Sequence, residues 1–437
     1  MSPCCSLTRR AVLQLLAGSS LAQILPADSS ANLPLALEKG FQRLDERYWS
    51  PELSIWLDRP GNDLRAWFEG RLNPPWWSSA NAVETLADFM AATGNRRWMA
   101  PLQELHRRHR ENPDHVAGII PALKARGQWS ARDDEARRTK PRPRHSTKAG
   151  FRNFNNEYLD DSGWWGLAWL KMHQLTGGAD YLATARAIQR HMDAHRLPDG
   201  GIIWNLEQQP PVTNAISNSL FLTLSAQLHT VTGEPAYLAA ARKTRQWFDD
   251  QKLYDGTGIV DAPGHQGDYW SYNQGMWILS LLALAEAAGE PARVDEAATF
   301  TRTLLEKAGF VQDGVLIEKL SQTGWDTALF KGVLARALGQ LRDTLNRLGK
   351  HPDVSKQVTT LLQTSAASLQ KHSVGETGEF GLQWQARGQK PGMEFQHPTR
   401  RPDGPDRQPA GAASGQVKWL SRSKRGIRGR GCHDTAQ

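Results

Sequence analysis

The chain has 437 residues, of which 39% are hydrophobic and 22% are charged, and this composition excludes both a disordered chain and a bundle of membrane helices. The net charge of +8 would normally suggest a nucleic-acid partner, but the excess of Lys and Arg lies in 124–148 and 398–437, two segments that resemble unfolded chain. The rest is mildly acidic, so we expect no nucleic-acid partner, and no apolar run reaches the roughly 18 residues of a membrane span.

Residues 1–31 resemble an export signal. The adjacent Arg9 and Arg10 precede a weakly apolar stretch from Ala11 to Leu25, which is too short and too polar to span a bilayer stably. This order is typical of a bacterial twin-arginine signal and predicts an exported protein, in the periplasm or outside the cell. An ordinary first helix with two surface arginines is the alternative.

A repeat organises the body of the chain. Gly177, Gly233 and Gly289 are spaced 56 residues apart, and each follows an apolar helix end and precedes a new helix start. A glycine just past a helix end usually forms a left-handed cap. Gly94 and Gly349 extend the series at wider spacing. The repeat therefore predicts a succession of helical hairpins with tight turns.

The hairpins predict an all-α fold, an (α/α)6 toroid over residues 32–390. Amphipathic, charged helices are expected in an outer layer at about 34–48, 95–110, 179–195, 235–250, 292–308 and 352–372. Helices that are apolar on most faces are expected in an inner ring at about 76–93, 161–176, 213–232, 271–288 and 323–348. A sixth inner helix should follow residue 385, but the composition there indicates coil, so that helix is expected to be missing.

Two segments depart from the hairpin pattern. The basic insertion at 124–148 is expected to be a solvated loop, with a role in shaping one end of a cleft as the alternative. The basic tail at 391–437 is rich in Arg, Gly and Pro and is expected to be disordered. A shifted reading frame, a truncation or a native cell-wall-binding tail would each account for it.

Tryptophans and side-chain amides recur in the loops that enter the inner helices, and those loops meet at one end of a toroid. Aromatic rings beside amides and carboxylates are typical of a sugar-binding cleft. The candidate substrate-binding residues are Trp77, Asn81, Trp164, Trp165, Trp204, Asn218, Tyr272, Gln274, Asp326 and Lys331. Packing in the core is the alternative for each tryptophan, and an ion pair that caps a helix is the alternative for the last two.

The paired Asp160 and Asp161 open the second inner helix and are the candidate catalytic residues. Helix capping is the alternative, because Asp is a preferred N-cap residue and acids stabilise a first turn. Two carboxylates also hydrolyse glycosidic bonds, and a retaining enzyme needs them about 5–5.5 Å apart. Neighbouring side chains that diverge at a helix start can reach that separation. Because the two charges are close, one carboxyl should keep its proton to a higher pH.

The runs NEYLDDSGWWGLAW, WSYNQGMWI and FKGVLARAL resemble glycoside hydrolase family 76, the endo-α-1,6-mannanases. The resemblance extends over about residues 34–385 and implies the (α/α)6 fold independently. It implies that Asp160 is the nucleophile and Asp161 the acid/base, that the substrate is α-mannan, and that no metal or cofactor takes part. We expect a secreted, retaining enzyme that acts as a monomer.

Three other functions stay open at this point. A mannosyl transglycosidase would use the same residues and differ only in the acceptor. A sugar epimerase needs a base such as His at the cleft, and His265 is the single His in the cleft loops. A mannan-binding protein without turnover would keep the aromatic cleft, and the expected loss of the last inner helix favours it.

Overall fold

The computed structural model describes residues 33–57, 60–68, 76–111, 115–139, 153–267, 269–318, 326–372, 374–375 and 380–385. The predicted export signal and the predicted tail both lie outside these residues. The described helices and strands are α1 (Leu33–Tyr48), β1 (Trp49–Ser50), β2 (Ile55–Trp56), α2 (Leu64–Phe68), α3 (Trp76–Thr93), α4 (Met99–Glu111), α5 (His115–Ala125), α6 (Ala131–Thr139), α7 (Leu159–Thr176), α8 (Ala179–Asp193), α9 (Ala215–Thr232), α10 (Pro235–Asp250), α11 (Ser271–Ala288), α12 (Ala292–Lys307), β3 (Val311–Gln312), β4 (Val315–Leu316), α13 (Thr327–Leu348) and α14 (Pro352–His372).

The helices form two layers, as the sequence predicts. In the inner layer α3 packs on α7, α7 on α9, α9 on α11 and α11 on α13. Each of the last four inner helices also packs on the outer helix that follows it in the chain, which makes the hairpins α7–α8, α9–α10, α11–α12 and α13–α14. The predicted all-α toroid of inner and outer helices is therefore confirmed. None of the described helices is both long and apolar enough to cross a membrane.

The predicted hairpin turns are present at the repeated glycines. Gly177, Gly233 and Gly289 cap α7, α9 and α11 in the left-handed conformation, with φ of 75°, 75° and 65°. The ring nitrogens Nδ1 of His173 and His229 lie 3.0 and 2.8 Å from carbonyl oxygens of the following turns. The 56-residue spacing thus marks a repeated turn, and a histidine side chain contacts the turn that follows α7 and the turn that follows α9.

The inner helices approach one another closely at glycines that lie within them. A Cβ at Gly275 of α11 would lie 2.9 Å from the Cα of Leu334 and 3.0 Å from the carbonyl carbon of Val333, both in α13. A Cβ at Gly166 of α7 would lie 2.5 Å from the Leu224 side chain of α9. The neighbouring inner helices therefore leave no room for a side chain at these two glycines.

The basic insertion, which we expected to be a solvated loop, is helical in its described part. Its first part forms the end of α5 and all of α6, and residues 140–148 lie outside the described residues. Trp129 between the two helices is 8% exposed, and its indole nitrogen donates to the carboxylate of Asp134 at 2.9 Å. Arg65 of α2 pairs with Asp133 at 2.8 Å. The apolar face of α5 and these contacts order the segment against the body despite its net charge.

The ring is closed between its first and last described inner helices by side chains. Arg336 of α13 donates to the carboxylate of Glu84 at 2.7 Å, to the hydroxyl of Thr85 at 2.7 Å and to the amide oxygen of Asn81 at 3.1 Å, all in α3. The position predicted for the missing sixth inner helix, after residue 385, lies outside the described residues. The flanks of α3 and α13 therefore meet at a polar cluster as well as at apolar residues.

Candidate active site

The site is built at the first turn of α7. Tyr158 precedes the helix in extended conformation and is its N-cap without a side-chain cap bond. The amide of Leu159 donates to the carbonyl of Trp204 at 2.9 Å, and Tyr158 forms an antiparallel bridge with Asn205. Asp160 and Asp161 are thus the second and third helical residues. The alternative in which either aspartate is the N-cap is wrong, although their charges do suit a first turn.

The two carboxylates have different hydrogen-bond partners. The carboxylate of Asp160 accepts from the indole nitrogen of Trp204 at 3.0 Å and from the main-chain amide of Asp161 at 3.0 Å. The carboxylate of Asp161 accepts from the side-chain amide of Asn156 at 2.7 Å. The amide oxygen of Asn156 in turn accepts from the amide of Tyr158 at 2.8 Å, which fixes the direction of its NH2 group.

The electrostatics of the pair follow from these contacts. Burial raises the pKa of Asp160 to about 7, against the opposing effect of its hydrogen-bond donors, Trp204 among them. Burial also raises the pKa of Asp161, and the neighbouring charge of Asp160 raises it further. The charge of Asp326 acts in the same direction on both. The arrangement favours an ionised Asp160 beside a protonated Asp161.

One wall of the site is aromatic and carries a third carboxylate. Asp326, just before α13, accepts from the indole nitrogen of Trp77 at 2.7 Å. The ring of Trp77 lies 5.9 Å from the rings of Trp164 and of Phe330, measured between centroids. Phe330 stacks on Tyr272 at 4.0 Å. These contacts join the first turns of the inner helices α3, α11 and α13 into one surface near the aspartates.

The carboxylates of the site also act on the hydroxyl of Tyr272. Burial raises the pKa of its hydroxyl well above the usual range, and the carboxylates of Asp261, Asp160 and Asp326 raise it further. The phenol therefore keeps its proton and can donate a hydrogen bond. The structure thus brings Asp160, Asp161, Trp77, Trp204, Tyr272 and Asp326 together, as predicted for one end of the toroid, with Trp164 behind them at 3% exposure.

Trp165 was predicted to bind substrate, and the structure corrects this. Its side chain is fully buried, with Trp76 at 5.1 Å, Phe154 at 4.8 Å and Trp169 at 5.6 Å between ring centroids. Its ring contacts Trp76 of α3 and fills space between α7 and α3. Packing in the core, the stated alternative for the tryptophans, holds for this one.

Asn218 and Gln274 are also corrected, since both are fully buried. The side-chain amide of Asn218 accepts from the amide of Ile202 at 2.7 Å and donates to the carbonyl of Ile202 at 3.0 Å. Gln274 makes the same two contacts with Ile259, both at 2.8 Å. Each amide fixes the loop that enters its own helix. In the structure both side chains are occupied in holding these loops and are not exposed to the cleft.

Asn81 and Lys331 have structural partners as well. Asn81 accepts from Arg336 at the ring closure described above. The ammonium of Lys331 is 2% exposed and donates to the carbonyl of Leu382 at 2.6 Å, and burial lowers its pKa to about 8. No ion pair joins Lys331 to Asp326 among the described residues, so the ion-pair alternative does not hold, and the ammonium of Lys331 is instead occupied by the carbonyl of Leu382.

The sequence analysis missed two residues of the site, Asn156 and Phe330. Asn156 lies five residues before Asp161, in an extended segment, and an amide so placed before a catalytic helix is the signal that was available. Phe330 reads as an ordinary core residue of an apolar helix, and only the stacking on Tyr272 reveals its place. In the part of the chain that the structure describes, no cluster of His, Cys, Asp and Glu could hold a metal ion.

Curated relatives of the chain include fungal enzymes. One is the mannan endo-1,6-alpha-mannosidase of Saccharomyces cerevisiae, 26% identical, with the alignment covering 52% of this chain and 54% of that protein. Another is a putative mannan endo-1,6-alpha-mannosidase of Schizosaccharomyces pombe, 24% identical, covering 60% of this chain and 58% of that protein. The chain thus spans about half the length of the curated relatives that it matches.

Among solved structures, the fold is similar to that of an alpha-1,6-mannanase from Salegentibacter sp., with a TM-score of 0.60 and 20% identity over 81% of this chain and 93% of that one. An inactive variant of that mannanase with two aspartates replaced has been solved in complex with alpha-1,6-mannotetrose. Residues 62–399 match the family model of Glycosyl hydrolase family 76. Because this match covers most of the chain, the protein belongs to glycosyl hydrolase family 76.

Proposed function

We propose that this protein hydrolyses α-1,6-linked mannose in mannan or N-glycan-type chains, with retention of the anomeric configuration. The observation that carries the proposal is the pair of adjacent carboxylates, Asp160 and Asp161, whose hydrogen-bond partners differ. The relatives named as mannan endo-1,6-alpha-mannosidases, and the mannotetrose complex of the Salegentibacter mannanase, support the choice of substrate.

The reaction proceeds in two displacements. In the first, a carboxylate oxygen of Asp160 forms a bond to the anomeric carbon, the glycosidic C–O bond breaks, and the proton of Asp161 passes to the departing oxygen. In the second, the Asp161 carboxylate takes a proton from water while the water oxygen attacks the same carbon. The ester bond to Asp160 then breaks, which returns both side chains to their initial states.

The contacts of each aspartate match its step. The Asp160 carboxylate accepts two hydrogen bonds that stabilise its charged form, so it is the better candidate for the ionised nucleophile. Asp161 lies beside that charge and holds its proton more tightly, which suits a general acid. When the ester forms, the charge of Asp160 disappears and the pKa of Asp161 falls, which suits its second role as a base.

The aromatic wall supports a carbohydrate substrate. The partly exposed rings of Trp77 and Tyr272 are of the kind that pack on the C–H groups of a pyranose, Phe330 supports them from behind, and Asp326 can accept from a sugar hydroxyl. Tyr272 keeps its phenolic proton and can donate to another hydroxyl.

The experiment is an assay of product release from linear α-1,6-mannan by the full chain and by Asp160→Asn and Asp161→Asn. Each variant should lose activity by several orders of magnitude and stay folded, because Asn has nearly the size of Asp and removes a carboxyl whose charged form is disfavoured by burial. Early NMR spectra of the wild-type product should show the α-anomer before mutarotation. Near-wild-type turnover in either variant, or an initial β-anomer, would contradict the proposal.

We also propose that the protein is exported. Polymeric mannan is too large to enter a cell intact, so an enzyme that cleaves it works outside the cytoplasm. The paired Arg9 and Arg10 before an apolar stretch support export. These residues lie outside the described part of the chain, and the twin-arginine route stays a prediction from the sequence.

A further inference from the structure

We propose that Trp204 and Asn156 are positioning residues that assign the two aspartates their different roles, Trp204 by holding Asp160 as the nucleophile and Asn156 by holding Asp161 as the proton carrier. This inference rests on the proposed function. It replaces the expectation that Trp204 is chiefly a platform on which a sugar ring packs.

Trp204 is held from several sides, so its indole N–H has a fixed direction. Its carbonyl accepts from Leu159 at 2.9 Å, its amide donates to Val212 at 2.8 Å, and its ring lies against Tyr158 at 5.5 Å between centroids. The indole nitrogen then meets the Asp160 carboxylate at 3.0 Å. The same tryptophan thus holds both the first amide of α7 and the carboxylate one residue further on.

Asn156 is fixed in the same way on the other side. Its main-chain amide lies 3.3 Å from the hydroxyl oxygen of Ser162, and its side-chain oxygen accepts from the amide of Tyr158. The NH2 group has only the remaining direction, which is toward Asp161 Oδ2 at 2.7 Å. The bond occupies one oxygen of Asp161, so the proton of the acid resides on the other oxygen.

Each bond stabilises the charged form of one carboxylate and leaves the other carboxylate untouched. Removing the Trp204 bond should make Asp160 harder to ionise, and removing the Asn156 bond should do so for Asp161. The other groups that face the pair are Glu157, Asp326 and Tyr272, and they are common to all the variants compared. The two variants should therefore affect different limbs of a bell-shaped pH profile.

The first variant is Trp204→Phe, which keeps an aromatic face and removes the donor. The acid limb of kcat/KM should move up by about one pH unit, and kcat should fall about tenfold to a hundredfold with KM nearly unchanged. If Trp204 acted only as a sugar platform, the retained aromatic face would keep kcat and the pH profile as in the wild type, with at most a modest rise in KM. That result would overturn the role of Trp204.

The second variant is Asn156→Ala, for which the basic limb should move up while the acid limb stays in place. An α-1,6-mannobioside with a dinitrophenyl leaving group, which departs without a proton, should lose less kcat/KM than mannan does. Equal losses on both substrates, or a shift of the acid limb, would overturn the role of Asn156.

If Trp204→Phe does not fold, benzothienylalanine at position 204 keeps the bicyclic ring and removes only the N–H.

The matched control is Trp56→Phe. It removes an indole–carboxylate bond of the same kind, from Trp56 to Asp45 at 2.9 Å, between β2 and α1 and outside the site. This variant should melt at a lower temperature and keep both limbs of the pH profile. If it shifts the acid limb as Trp204→Phe does, the shift is a general effect of lost stability, and the inference fails.

A measurement without turnover separates this inference from the proposed function. The carboxyl carbons of 13C-labelled aspartate can be titrated by NMR, with the two resonances assigned from Asp160→Asn and Asp161→Asn. Trp204→Phe should raise the titration midpoint of the Asp160 carboxyl, and Asn156→Ala should raise that of the Asp161 carboxyl. Absence of mannan hydrolysis in the wild type would refute the function alone, whereas unmoved midpoints in an active enzyme would refute the inference alone.

Discussion

Asp326 shows how a residue acts on the aspartates without touching them. Its carboxylate lies at the start of α13, is held by the indole of Trp77, and places a further negative charge near the pair. Burial is the larger cause of the raised pKa of both aspartates, and Asp326 adds to it. The charge therefore helps Asp161 to keep its proton and makes Asp160 harder to ionise.

Asp326→Asn should lower the pKa of both aspartates, because it removes a repelling charge and keeps the size of the side chain. Both limbs of the kcat/KM profile should move to lower pH by a few tenths of a unit to about one unit. The measurement is the pH dependence of mannan hydrolysis. Asp313→Asn, at the exposed β3–β4 turn, is the control and should leave the profile in place; an equal shift in both variants would contradict the role of Asp326.

At the same scale, the residues alone predicted the pair of aspartates, and only the family resemblance implied which is the nucleophile and which the acid/base. Adjacent Asp160 and Asp161 are visible in the sequence, and so is the need for one of them to hold a proton. Which one holds it depends on the Trp204 indole, 44 residues away in the chain, and on the orientation of Asn156. Both are contacts between side chains in loops, and no periodicity reports them.

For the helices, the repeat was the most reliable signal. Glycines spaced by 56 residues mark the hairpin turns because residues other than glycine rarely adopt the left-handed conformation of such a cap. The same spacing relates Asn218 to Gln274, and it indicates a shared structural task that we read as substrate binding. For the insertion, net charge suggested a loop, whereas its helical part follows from the apolar residues of α5 and from the buried Trp129.

Gly275 provides a test of how closely the inner helices pack. Gly275→Ala should destabilise the protein by about 1–3 kcal/mol, because its Cβ would lie 2.9 Å from the α13 backbone, which cannot move as a side chain can. Gly339→Ala is the matched control, since nothing lies within 4 Å of its Cβ, and it should stabilise α13 by up to about 1 kcal/mol. Denaturant unfolding compares the two, and equal stabilities would show that the ring can widen at no cost.

At the scale of the whole molecule, acid should weaken the fold through a buried histidine. His106 is 5% exposed, lies 2.9 Å from the Thr184 hydroxyl, and has aromatic neighbours that include Trp169 at 4.6 Å between ring centroids. Burial lowers its pKa from 6.5 to about 4. Between these values the unfolded chain binds a proton that the folded chain does not.

The contribution of His106 is therefore complete above about pH 6.5 and is lost as the pH falls toward 4, with a total of about 3 kcal/mol. The measurement is the free energy of unfolding of the wild type and of His106→Gln across this range. The difference between the two should shrink as the pH falls. His229→Gln, in a half-exposed position, is the control; a constant difference for His106→Gln would contradict the account.

The closure of the ring by side chains has a consequence for how the enzyme is made. Trp77 and Asp326 are hydrogen-bonded to each other in one wall of the site but are 249 residues apart in the chain. Each hairpin from α7 onward has its partner close by in sequence and can form as it leaves the ribosome. The cleft wall cannot, because α13 is the last inner helix described and is synthesised long after α3. A nascent or shortened chain can hold both aspartates and still lack one side of the cleft, so the complete site forms only after α13 has been synthesised.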